Sequence, residues 1–80
     1  MAVNQRVLFA CCNYNCYRTL AAALGFRKEE TAYIYDDRQI LGLRKSRVIM
    51  CDNFSARDDS PYIRELLRAR EMQVEIRKLP

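Results

Sequence analysis

The sequence predicts an α/β fold in which about four mostly parallel strands are joined by two to three helices. Two apolar runs, at residues 7–12 and 48–51, are continuous rather than alternating. Continuous runs suit strands buried on both faces, as in a parallel sheet. Each is followed by a polar turn and then by a segment with helical apolar spacing, so strand and helix alternate along the chain. Clear punctuation separates these segments: Gly25 and Gly42 close two of them, and Ser60-Pro61 opens a third.

The first strand is read at residues 6–12, with Asn13-Tyr14-Asn15 as the turn after it. Asn15 is the expected N-cap of a helix at 16–24, because its side-chain oxygen would accept from a free N–H of the first turn. Cys16, Leu20 and Leu24, with Tyr17 and Ala21, fall at i, i+4 spacing and make one apolar face. Gly25 suits a left-handed C-cap position, and Phe26 is expected to fold back on the helix. A solvated turn at 27–30 leads to a β-prone strand at 31–35. Asp36 and Asp37 are candidate caps for a short helix through 38–41, ended by Gly42. A basic turn at 44–47 precedes the third strand at 48–51, and a polar loop at 52–59 holds Phe54. Ser60 as N-cap and Pro61 at the first helical position start a helix running to residue 70. Its inner face carries Ile63, Leu66, Leu67 and Arg70, and residues 72–76 make a short last strand. The order β-α-β-(α)-β-α-β, with right-handed crossovers, describes a minimal Rossmann-like or flavodoxin-like unit occupying residues 1–80 as one domain.

Composition narrows the function. The chain has 80 residues, half of them hydrophobic, and a formal net charge of +4. It is globular rather than disordered, and too short for a two-domain enzyme. No apolar run approaches the roughly 18 residues of a membrane span, and the N-terminus lacks the form of a signal peptide. There is no histidine, so imidazole chemistry is excluded. The four cysteines, Cys11, Cys12, Cys16 and Cys51, sit in or beside apolar runs with no secretory context. They read as reduced thiols in a cytosol. A zinc site through Cys12, Cys16 and Cys51 lacks a C-x2-C pair and a histidine, so no metal is expected. No G-x-G-x-x-G or G-x4-G-K-[ST] pattern is present, and no cofactor is expected. A weaker alternative places Mg²⁺ between Asp36 and Asp52.

In open parallel sheets, ligands bind beyond the carboxyl ends of the strands. The expected crevice therefore holds Asn13, Tyr14 and Asn15 after the first strand, Asp36 and Asp37 after the second, and Asp52 after the third. The opposite edge receives Arg6, Arg27, Lys28, Arg44, Lys45 and Arg47. Such an edge suits an anionic partner, nucleic acid included, although solvated basic turns are commonplace. The charge of only +4, the ten interspersed acidic residues and the lack of an aromatic platform flanked by basic residues favour a protein partner instead; the five tyrosines suit either an interface or the edge of the core.

Cys12-Asn13-Tyr14-Asn15-Cys16-Tyr17-Arg18-Thr19 has the form C-x5-R-T, directly after an apolar strand. Residues 7–19 resemble the phosphate loop of low-molecular-weight tyrosine phosphatases. The resemblance implies Cys12 as nucleophile, Arg18 as phosphate clamp and Asp52 or Asp58 as acid. The loop contains no glycine, and Asp36, Asp37 and Asp52 oppose a phosphate dianion, so the reading leans away from an enzyme. A broader resemblance runs through Leu24-Gly25, Tyr33-Ile34, residues 39–44 and Tyr62-Ile63-Arg64-Glu65-Leu66-Leu67. These segments look like small Rossmann-like bacteriophage proteins of unassigned function. That resemblance implies a viral accessory protein in a host cytoplasm, binding a host or defence protein. Weak nucleic-acid binding through the basic edge is the other alternative, and homodimerisation would supplement a core this limited.

Overall fold

A computed structural model describes residues 6–79. Its sheet contains four parallel strands: β1 (Val7–Ala10), β2 (Thr31–Tyr33), β3 (Arg47–Cys51) and β4 (Gln73–Arg77), in the spatial order β2-β1-β3-β4. Helix α1 (Tyr14–Ala23) connects β1 to β2, and α2 (Ser60–Ala69) connects β3 to β4. This is the α/β architecture expected, with every strand pair parallel.

Period-two alternation divides the strands between two cores. Leu8, Ala10, Val48 and Met50 face Ile63 and Leu67 of α2, with Ile34, Ile40 and Phe54 completing that layer. Phe9, Cys11, Ile49 and Cys51 face Tyr17, Leu20 and Ala21 of α1. Each wholly apolar strand thus serves two layers, which is why it reads as an unbroken run. β4 is an edge strand, and its Val74 and Ile76 remain exposed.

Several boundaries differ from the sequence reading, each for a local reason. The cap of α1 is Asn13, not Asn15: Asn13 is extended and its Oδ1 accepts from the Cys16 N–H at 2.8 Å. Because β1 already stops at Ala10, the chain turns into the helix sooner than the apolar run suggests. Asn13→Ala should therefore cost about 1 kcal/mol in urea unfolding, whereas Asn15→Ala should cost a few tenths. At the other end, Gly25 adopts φ +81 and the Phe26 N–H donates to the Ala21 carbonyl at 3.0 Å, closing the helix as anticipated.

β2 ends at Tyr33 rather than Tyr35: the Ile34 N–H still donates to the Phe9 carbonyl at 2.9 Å, but beyond it Gln39 Oε1 takes the N–H groups of Tyr35 (2.9 Å) and Asp36 (2.8 Å). Residues 37–39 form a single 3-10 turn instead of a helix through 41. Ser60 is the first residue of α2 rather than its cap. Asp59 occupies the cap position but makes no capping bond, since Arg57 holds its carboxylate. β4 starts at Gln73, one residue late, because Met72 belongs to the turn: its N–H donates to the Leu67 carbonyl at 3.0 Å.

Candidate functional site

The chain leaves β1 toward β2 on one side and returns to β3 on the other. The order of connections therefore reverses between the carboxyl ends of β1 and β3, the place where open α/β sheets bind ligands. All four cysteines gather there. Cys11 and Cys51 follow and end the two central strands and are fully buried. Burial pushes the Cys11 thiol up to about 12, with Cys51, Cys16 and Cys12 adding to the effect. Cys51 is also raised, mainly by desolvation. Both are unreactive core thiols.

Cys12 and Cys16 differ: they are half-buried, and their sulfurs lie 3.1 Å apart at the start of α1. The Asn53 amide, just beyond β3, donates to the Cys16 Sγ at 3.2 Å. Its Oδ1 is buried without a partner, at a cost of about 1–3 kcal/mol for such an acceptor. Among the described residues, no three Cys, Asp or Glu side chains gather closely enough to hold a metal ion.

The remaining crevice residues are dispersed. Asn13 caps α1 and Asn15 is exposed. Asp36 is engaged by Arg38, whose Nη2 donates to it at 2.7 Å, and this bond holds the carboxyl below its usual range. Asp37 accepts from the Tyr62 hydroxyl at 2.8 Å. Asp52 lies exposed after β3, with the Cys51 thiol 3.7 Å from its Oδ1. Arg18, the residue expected to clamp phosphate, is exposed, and its Nη1 donates to the Tyr14 hydroxyl at 3.5 Å. Asp58 is exposed in the loop before α2.

Arg57, which the sequence did not single out, occupies the same end of the sheet. Its guanidinium donates to the Cys11 carbonyl at 3.2 Å, the Ile34 carbonyl at 2.6 Å and the Tyr35 carbonyl at 3.0 Å. It also grips Asp59 in a fork, at 2.9 and 2.8 Å, and lies over the Phe54 and Tyr33 rings. The side chain is only 11% exposed. It thus closes the carboxyl ends of β1 and β2, satisfying carbonyls that the short β2 leaves behind. The Arg57-x-Asp59 spacing hints at an ion pair, but the carbonyl acceptors come from segments distant in sequence.

Four of the five tyrosines form a connected group beside it. Tyr14, Tyr17 and Tyr33 are in mutual ring contact, with centroids 5.4, 5.5 and 5.7 Å apart, and Tyr35 touches Tyr33 at 6.4 Å. Tyr17 is anchored by its hydroxyl, 2.6 Å from Thr31 Oγ1. Tyr14 and Tyr35 stand 48% and 69% exposed at the ends of the group.

At the amino end of the sheet, Arg6, Lys28, Arg44 and Lys45 are exposed. Arg27 lies 3.8 Å from both Glu29 and Glu30, and Arg47 is 3.6 Å from Glu75 and stacks over Phe26. Acidic partners therefore offset part of the expected basic rim. No helix among the described residues is long and apolar enough to cross a membrane. Comparison with family models, with curated proteins and with solved structures finds no match to this chain.

Proposed function

We propose that this protein is a small binding module that docks a protein partner on the tyrosine group at the carboxyl end of β1 and β2. The observation that carries the reading is the chain of ring contacts from Tyr17 through Tyr14 and Tyr33 to Tyr35. Rings already held by one another offer large amphipathic contact area with little side-chain freedom left to lose. Arg57 adds support, because its bonds to the Ile34 and Tyr35 carbonyls fix the segment that carries Tyr33 and Tyr35. The resemblance to small phage proteins makes a host or defence protein the partner class.

The test is crosslinking in cells expressing the tagged chain, followed by affinity measurement with the captured protein. Tyr14→Ala and Tyr35→Ala should each weaken binding by about tenfold or more, as for interface anchors, with a stability loss of about 1–2 kcal/mol for Tyr14 and less for Tyr35. Charge reversal at Arg44, Lys45 and Arg47 should leave that binding intact. The opposite pattern, with steep salt dependence and retention on DNA, would replace this reading with nucleic-acid binding through the basic edge.

A further inference from the structure

We propose that Cys12 and Cys16 form a thiol–disulfide exchange site that is oxidised by a disulfide-bearing co-reactant. The two sulfurs stand 3.1 Å apart, inside ordinary sulfur contact distance, and both cysteines are free thiols. A disulfide needs about 2.05 Å, so side-chain rotation of roughly 1 Å completes the bond. Cys12 precedes the cap residue Asn13 and is not fixed by the helical ladder, which leaves it room for that movement.

The local chemistry divides the roles. The Asn53 amide donates to the Cys16 sulfur at 3.2 Å, and either thiol of the Cys12–Cys16 pair can donate to the other. The hydrogen bond with Cys16 raises Cys12, with desolvation next, so Cys12 keeps its proton. The bond from Asn53 to the Cys16 sulfur assigns the attack to Cys16, once its proton has left, and makes Cys12 the resolving thiol. In the first step, Cys16 attacks one sulfur of R–S–S–R, forming Cys16–S–S–R and expelling RS⁻. Cys12 then loses its proton and attacks the Cys16 sulfur. The Cys12–Cys16 disulfide closes, and the second RS⁻ leaves. Two electrons pass to the co-reactant, which ends as two thiols after proton uptake. The buried pair Cys11 and Cys51 takes no part, because burial keeps both sulfurs protonated and out of reach.

The experiment exposes the reduced full chain to oxidised glutathione and, in a parallel arm, to insulin as a protein disulfide, then maps the products by mass spectrometry. The expected product has lost two hydrogens, joins Cys12 to Cys16 and is restored by excess reduced glutathione. Exchange in either arm supports the site, and the faster arm identifies the source of the disulfide. Cys12→Ser should trap a glutathione adduct on Cys16. Cys16→Ser should slow the first capture by roughly an order of magnitude or more, as expected when the attacking sulfur is removed. The wild-type map needs no variant to fold. Thiols that stay unreacted in both arms, a bridge involving Cys11 or Cys51, or a Cys16→Ser variant that reacts as fast as the parent would each overturn the proposal.

Discussion

Phe9→Ala is expected to destabilise the fold by about 3–5 kcal/mol and to lower its urea midpoint steeply. Phe9 is fully buried on β1, one of the two central strands. Its ring meets Tyr17 edge-on at 5.5 Å and Phe26 at 5.8 Å, so it joins α1, the sheet and the turn after α1. Truncating a buried phenylalanine costs about 3–5 kcal/mol through lost transfer energy and the cavity left behind. A domain of this length has a total stability of roughly 4–12 kcal/mol, so the loss consumes a large share of it. Phe9→Leu keeps more of the volume and should cost about half as much or less. Urea unfolding followed by circular dichroism separates the two. A midpoint for Phe9→Ala within a few tenths of a molar of the parent would contradict the assignment of Phe9 as the hub of this layer.

Arg57→Ala should be the most damaging change on the surface side of the sheet, at about 3 kcal/mol. It strips hydrogen bonds from the Cys11, Ile34 and Tyr35 carbonyls and frees the Asp59 carboxylate. Removing one partner of a largely desolvated network costs more than the pair contributes, because the remaining groups keep their desolvation. Arg57→Lys retains the charge but not the planar fork, and should recover less than half of the loss. The pH dependence has a defined sign. The hydrogen bond from Arg57 holds the Asp59 carboxyl below its usual range. That stabilisation is complete above the unfolded value, about 3.9, and disappears as pH falls through the lower folded value. Comparing unfolding midpoints at neutral pH and below about pH 3 should thus show the gap between parent and Arg57→Ala narrowing in acid. A gap that stays constant would mean the carbonyl bonds alone carry the effect.

The fold was legible because its signals are local. Residues 7–12 and 48–51 announce two-sided burial by lacking alternation, and Gly25 marks the end of α1 by conformation alone. The boundaries that moved did so where a side chain competes for a backbone group: Asn13 for the Cys16 N–H, and Gln39 for those of Tyr35 and Asp36. Such competition depends on geometry that spacing does not encode. The site was less legible. The sequence could place cysteines after β1 and β3, but their convergence required knowing that these strands are neighbours. The role of Arg57 is hidden in the sequence for the same reason, since its acceptors lie on separate segments more than twenty residues earlier. The sequence contains five tyrosines, yet only the folded chain brings Tyr14 of α1 beside Tyr33 of β2.

The all-parallel sheet also governs how this chain must reach its structure. Val7 pairs with Thr31, Leu8 with Val48 and Arg47 with Gln73, so no ladder closes over a tight hairpin. Each pairing has to bring together distant segments before any interstrand hydrogen bond forms, and that loss of chain entropy comes first. The helices offer little head start, since each spans ten residues, below the length at which an isolated helix holds in water. Helix and sheet therefore have to form together, and refolding should be slower than for a helical bundle of equal length. The transition state most consistent with this topology contains β1 and β3 side by side, because every remaining element packs on one of those two strands or pairs with it.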